Sequence, residues 1–447
     1  MPSNAYSYWN RELETLPWRD VERWQAERVR AFIDGLPARS ELYRAKLAGG
    51  APPLRSLDDL ARYPFTHKTD LRAAQEALCP QRPLGANQSA ATADIVQVLS
   101  SSGTTGNPVY YGLTRRDLET STDAIANAFF TAGIRAEDIV AHLVALPMVA
   151  GGLSYADAFR RIGAMLCWLG GFSTERIFGE MPRLQVSALL ATTSFGTHLA
   201  ERYAQAPERR IATLTKFLSG GEPGLAQPDI RARIRAGLGI DHIRECMGLG
   251  DVVPCMWAEC EHGNGMHFNA QRYVAIELID PASGERLEWR EGANGEVVYT
   301  TFDRDATPVL RFRSRDHVVV TGAGCACGRT SPRMICIGRT DDMLIYKGMN
   351  VFPSAIRDLV AEHATSLAPL IRVWKDHAEQ VRFDAPIAVE IEALPGIAAG
   401  EYARLKAAIE TAVRARLQVQ IAATILAAGS LPRSAYKTPL VAVRAAQ

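Results

Sequence analysis

The chain lacks an excess of either charge: 50 Lys and Arg stand against 49 Asp and Glu over 447 residues, a formal net charge of +1. Without surplus cations it cannot neutralise phosphates along a duplex, which excludes dedicated nucleic-acid binding. Long apolar runs are also missing. The best stretch, Ile139 to Ala150, is interrupted by His142 and Pro147 and falls short of the ~18 uninterrupted apolar residues of a membrane span. The first residues show no basic run followed by an apolar one, so no secretory leader is read there and a cytoplasmic location is expected. Eight cysteines in so long a chain supply no disulfide framework. There is no internal repeat and no low-complexity segment.

What is present is the composition of a globular protein, 47% hydrophobic and 22% charged, enough to bury a sizeable core. At about 150 residues per domain, the length suggests roughly two to three domains. The first 75 or so residues read as helical, with Val21, Trp24, Val29, Phe32 and Ile33 at helical spacing. Ser56 to Asp59 reads as a capped helix start after Pro52 and Pro53. From Ile95 onward, short strand-like runs (Ile95 to Leu99, Ile139 to Leu146, Ala188 to Thr192, Lys216 to Leu218) alternate with amphipathic stretches, the pattern of an α/β layered domain. Beyond Tyr273 the texture becomes hairpin-rich, with strands at Tyr273 to Ile279 and Glu296 to Thr301 and turn signals at Asp280-Pro281, Ser283-Gly284 and Asn294-Gly295. The pattern resets near Gly338 and ends in a helix from about Glu401 to Leu417, so a domain boundary is expected between 337 and 338.

Two constellations carry chemistry. The first is Ser100-Ser-Ser-Gly-Thr-Thr-Gly-Asn-Pro108, directly after an apolar strand, with five hydroxyl side chains between Ser100 and Thr105. Its glycines let the backbone approach an anion while hydroxyls and N–H groups donate, which suits a polyphosphate. It is not the Walker pattern, because no Lys-Ser or Lys-Thr pair closes it. The bland alternative is a flexible surface loop. The second is Cys260 and His267, followed about 60 residues later by Cys325-Ala-Cys327. Three thiols and an imidazole match a tetrahedral structural Zn²⁺ site, with Cys255 and His262 as competing ligands. Four protein ligands leave no open position for a catalytic water.

The phosphate-loop string, followed in order by GGEPG from Gly220, MGLGD from Met247, RFRSRD from Arg311, GRTDDMLIYKG from Gly338 and PRSAYK from Pro432, resembles the motif set of the acyl-adenylate-forming superfamily. Within it, WNRELETLP, SLDDLARYPFTHKTDLR and CACGRTSPR resemble the phenylacetate–coenzyme A ligase branch, over essentially the whole chain. The resemblance implies an α/β fold, with a large multi-subdomain N-terminal adenylate-forming domain of mixed sheets (1–337) and a small mobile α+β C-terminal domain (338–447). It implies ATP, Mg²⁺ and coenzyme A, and supports the zinc.

By that resemblance, Ser101, Gly103, Thr104, Thr105 and Gly106 hold the β- and γ-phosphates, and Gly220, Gly221, Glu222 and Pro223 line the adenine and the acyl pocket. Asp251 helps hold Mg²⁺, a hard cation that prefers oxygen ligands, although here Asp replaces the family's usual Glu and Met247 its usual Tyr. Asp316 and Arg339 bind the ribose, Lys437 neutralises charge during adenylation, and Asp341 is the hinge. Val149, Tyr155, Phe195 and Gly220 face the acid. Val149 replaces an aromatic residue and Tyr155 a small one, so a reshaped pocket for an aryl acid (phenylacetate-, benzoate-, aminobenzoate- or indoleacetate-like) is expected. The partners are then small molecules, with no nucleic acid and no membrane, and a homodimer is left open. The alternatives are an adenylating enzyme that loads a carrier-protein thiol or other acceptor, and an inactive zinc-stabilised nucleotide-binding module.

Overall fold

The computed structural model describes residues 8–50, 52–76, 81–101, 108–144, 148–222, 224–339, 343–347, 349–377, 380–432 and 439–444. The chain divides into two compact units, one of residues 1–191, 211–221 and 244–335, the other of 192–210, 222–243 and 336–447.

In the larger unit, the helix Trp18–Arg39 turns Val29, Phe32, Ile33 and Leu36 inward, where they pack with Tyr43, Leu57, Leu60, Ala275 and Leu310. This is the stripe read from the 3.6-residue period. The turn Leu57–Arg62 starts where the capping pattern places it, with the Asp59 carboxylate accepting from the Ser56 N–H at 3.3 Å. A twelve-stranded sheet forms the body. Its order is Arg286–Leu287, Val274–Ile279, Asn294–Thr301, Phe312–Ala323, Pro332–Arg339, Met266–Phe268, Trp257–Glu259, His242–Met247, Lys216–Ser219, Ala188–Ala191, Ile139–His142, Met165–Trp168. The last four pair in parallel, as expected for strands separated by helices. The strands up to Trp257–Glu259 pair antiparallel wherever their registers are known.

The hairpin-rich region is therefore one end of the same sheet. Asn294-Gly295 is not a turn but the start of a strand, opposite Val319 and Val318. The strand from Ile139 runs to His142, whose carbonyl accepts from both Leu169 and Gly170 at 3.0 Å; residues 145 and 146 of the run as read lie outside the described residues. The strand Ile95–Ser100 makes an antiparallel pair with Tyr110–Thr114.

The smaller unit has its own core. Helices Pro353–Ala361 and Tyr402–Leu417 cover the sheet Ile421–Leu426, Ile387–Ala393, Leu367–Lys375, Val441–Val443, burying Ile356, Val373, Val389, Ile391, Ile409 and Val413. Helices Thr193–Gln205 and Pro228–Leu238 pack closely through Gly237, where a Cβ would lie 2.4 Å from the Ala200 carbonyl oxygen.

Candidate active site and metal centre

Of the phosphate-loop residues, Ser101 is described and buried; Gly103, Thr104, Thr105 and Gly106 lie outside the described residues. The loop's ends are tied together: Ser101 N–H donates to the Val109 carbonyl at 2.9 Å, and the Ser101 hydroxyl accepts from the Val109 N–H at 3.3 Å. Its entry is anchored on the segment that carries the acyl-pocket candidates, with Ser100 N–H donating to the Met148 carbonyl at 2.7 Å and Ser100 bridging Val149.

Val149, Tyr155 and Gly220 all belong to the larger unit, where Tyr155 and Gly220 lie near each other. Tyr155, on the helix Leu153–Ile162, donates its hydroxyl to the Pro254 carbonyl at 2.9 Å and sets its ring edge-on to Phe129 at 5.1 Å. A Cβ on Gly151 would lie 3.0 Å from that ring, so this glycine leaves room for the tyrosine, while one on Gly220 would lie 4.0 Å from the hydroxyl, an ordinary contact. Behind it, buried His142 binds the Gly152 carbonyl through Nε2 at 2.9 Å and stacks on Trp168 at 5.2 Å. Its Nδ1 has no hydrogen-bond partner among the described residues, and burial pushes its pKa down to about 4. Phe195 belongs to the other unit, on the helix Thr193–Gln205. So does Glu222, whose carboxylate accepts from the Ser194 N–H in the first turn of that helix, a favourable place for negative charge. Gly221 takes the left-handed conformation at φ 94°. Pro223 lies outside the described residues.

Asp251 is buried in a loop fixed from several sides. Arg304 donates to the Asp251 carbonyl at 3.3 Å and to the Val252 carbonyl at 2.5 Å. Its carboxylate Oδ2 accepts from Lys68 Nζ at 3.1 Å, while Oδ1 has no partner among the described residues. An open, buried carboxylate oxygen fits a hard cation. Neither Lys68 nor Arg304 was legible as a site residue, because their contacts with the loop span 183 and 52 or 53 residues of sequence.

In the RFRSRD string the first two arginines are structural. Arg311 holds Glu277 bidentately at 2.9 and 3.0 Å, and Arg313 grips Glu296; burial raises the Glu277 pKa against the pull of Arg311. Arg315 sits at φ 65°, and the next residue, Asp316, is buried with its N–H donating to the Ser314 hydroxyl at 3.0 Å. Arg339 ends the strand Pro332–Arg339 and falls in the smaller unit. Lys437 and Asp341 lie outside the described residues.

Cys260, His267, Cys325 and Cys327 converge, their ligand atoms all within 4.8 Å of one another. Cys260 Sγ is 3.7 Å from Cys325 Sγ, and Cys327 Sγ is 3.5 Å from His267 Nε2. Metal–ligand lengths of about 2.3 Å to sulfur and about 2.0 Å to nitrogen in a tetrahedron require edges of roughly 3.8 and 3.5 Å, so the residues present fit Zn²⁺. The competing ligands fall away: Cys255 is a free thiol that hydrogen-bonds the Cys246 thiol instead, and neither it nor His262 is in the cluster. Hydrogen bonds from Cys260 and His267 hold the Cys327 thiol far below the usual range, while the same pairing pushes Cys260 up. The surroundings support the ligands, as second-layer groups do at metal sites. Tyr8 donates to the Cys327 carbonyl at 2.8 Å, the Ser331 hydroxyl lies 3.5 Å from His267 Nδ1, and Arg329 joins Cys327 to buried Glu14 at 2.8 Å.

No protein-family model matches the chain. It is 33% identical to a phenylacetate–coenzyme A ligase of Thermus thermophilus over 77% of this chain and 76% of that protein. It is 31% identical to a phenylacetate–coenzyme A ligase of Aromatoleum evansii, over 82% and 78% respectively. Among solved structures, a 2-hydroxyisobutyryl-CoA ligase in its postadenylation state, in complex with R3-HIB-AMP, superposes with a TM-score of 0.88 at 25% identity, covering 99% of this chain and 94% of that one. With the ordered motifs and this match over most of its length, the chain belongs to the phenylacetate–coenzyme A ligase family of AMP-forming acid–thiol ligases.

Proposed function

We propose that the protein is an ATP-dependent aryl acid–CoA ligase. The observation that carries this reading is that one unit holds the loop end Ser100-Ser101 anchored beside Val149, Tyr155 near Gly220, and the buried carboxylate of Asp251. The acid's carboxylate attacks the α-phosphorus of ATP, the bond to the β-phosphate oxygen breaks, and pyrophosphate leaves. The resulting acyl-adenylate is attacked by the CoA thiolate, which expels AMP. Positioning and electrostatics supply most of the acceleration in such a transfer.

The hydroxyl-rich loop holds the triphosphate, and Asp316 holds the ribose. Asp251 would hold Mg²⁺, which when bound offsets charge on the phosphoryl oxygens. Lys437 brings a compact cation to the same oxygens, carried by a C-terminal domain that begins near 338 and turns about Asp341 between the two half-reactions. Tyr155, braced by Phe129 and Pro254, presents an aromatic face to the acid. Cys260, His267, Cys325 and Cys327 hold a structural Zn²⁺. The cytoplasm is the compartment proposed, in keeping with Cys167, Cys246, Cys255 and Cys336 as free thiols.

Pyrophosphate exchange into ATP, measured with a panel of aryl acids beside small branched hydroxy acids, tests the reading. Exchange is expected with at least one aryl acid, followed by CoA-dependent AMP release. Exchange with aliphatic acids alone overturns the aryl assignment, CoA-independent release points to another acceptor, and no exchange across the panel leaves only nucleotide binding.

A further inference from the structure

The segment Phe65-Thr-His-Lys68 precedes every nucleotide motif in sequence, yet it is built into their midst. Thr66 is fully buried and lies along the RFRSRD string: its N–H donates to the Arg311 carbonyl at 3.0 Å, its carbonyl accepts from the Arg313 N–H at 2.9 Å, and its hydroxyl donates to the Leu310 carbonyl at 2.7 Å. The Phe65 ring lies 4.0 Å from the Arg311 guanidinium and 5.1 Å from that of Arg313. His67 Nδ1 lies 3.4 Å from Arg315, next to the proposed ribose carboxylate of Asp316. This clamp fixes the start of the helix Lys68–Glu76 and aims Lys68 at Asp251.

The pair is uneven. The Asp251 side chain is 4% exposed and the Lys68 side chain 30%. The carboxylate is locked, whereas the ammonium sits on a flexible stem with access to water. Among the described residues, Arg304 donates to the Asp251 and Val252 carbonyls, and Lys68 is the side-chain donor to the carboxylate. A buried carboxylate deprived of its counter-ion is costly, so a cation must stand there before the nucleotide arrives. A divalent ion at the open Oδ1 would repel an ammonium held at the other oxygen, and the nearest compensation for that ammonium is the triphosphate the ion accompanies.

We propose that Lys68 is a nucleotide-handling residue: it is the counter-ion of Asp251 in the nucleotide-free enzyme, and it passes to a phosphoryl oxygen when MgATP binds and the metal takes the carboxylate. The inference rests on reading Asp251 as the carboxylate of the Mg²⁺ site.

The test uses Lys68→Met and Lys68→Arg in the full chain, with thermal melting as a readout independent of turnover. In magnesium-free buffer Lys68→Met melts below wild type, and excess magnesium chloride recovers part of that loss while leaving wild type unmoved. In pyrophosphate exchange its KM for MgATP rises about 10-fold or more, the worth of one charge-assisted hydrogen bond, and Lys68→Arg recovers part of it. A lowered melting point with unchanged KM overturns the proposal, since a merely structural ion pair would behave that way. Asp251→Asn separates the two failures. If it keeps the wild-type magnesium dependence of exchange, the metal reading falls and this proposal with it; if that dependence shifts while Lys68→Met keeps its KM, this proposal alone falls.

Discussion

Replacing Cys327 by Ser tests the metal centre most sharply. Cys327 is fully buried, its sulfur lies 3.5 Å from His267 Nε2, and its carbonyl anchors Tyr8. Serine nearly preserves volume and the Tyr8 contact, which is made to the backbone, but removes the thiolate and leaves three ligands. A metal bound only by the folded state stabilises it by RT ln(1 + [M]/Kd), about 4 kcal/mol when free metal exceeds Kd about 1,000-fold. At ~2 °C per kcal/mol for a body of this size, full loss of that contribution lowers the melting point by roughly 8 °C. Metal analysis should find about one zinc equivalent in the wild type and little in Cys327→Ser. A chelator should lower the melting point of the wild type and leave the variant unchanged. Cys255→Ser, outside the cluster, should retain zinc. Full zinc retention in Cys327→Ser, or wild-type protein that binds none after reconstitution, refutes the site.

Burial holds the His142 pKa at about 4 in the folded chain, against about 6.5 unfolded. The unfolded state alone gains the proton as pH falls from about 6.5 to about 4, so up to about 3 kcal/mol of stability, intact above that window, is lost across it. Melting curves of His142→Gln should show a correspondingly shallower acid slope. Glu14→Ala leaves Arg329 buried without its carboxylate, the two side chains being 1% and 2% exposed, at a cost of about 3–5 kcal/mol. Denaturant unfolding should show Glu14→Met/Arg329→Met closer to wild type than Glu14→Ala. At Gly248 a Cβ would lie 2.3 Å from the Pro254 carbonyl and 2.5 Å from the Cys255 nitrogen, all backbone. Gly248→Ala must therefore displace the Asp251 loop, and exchange activity should fall at least 10-fold while zinc content stays at one equivalent.

What the chain determines by itself is what depends on near neighbours. The Asp59 cap, the inward stripe of the helix Trp18–Arg39, the strand before the hydroxyl loop and the helix Tyr402–Leu417 all follow from residues within a few turns of one another. The four residues of the proposed metal site were legible for a related reason: Cys-x-Cys and C-x6-H are local pairs whose chemistry admits few partners. Choosing between them and Cys255 or His262 needed the tertiary structure, which turns Cys255 toward Cys246. Tertiary structure also joined the parallel strands and the hairpins in one twelve-stranded sheet, because strand periodicity shows which face is buried but not which edge meets which. It alone brought Lys68 to Asp251 and Arg329 to Glu14, pairs separated by 183 and 315 residues. A lysine or a glutamate has the same local signature whether it meets water or a buried partner, and only the path of the whole chain decides which.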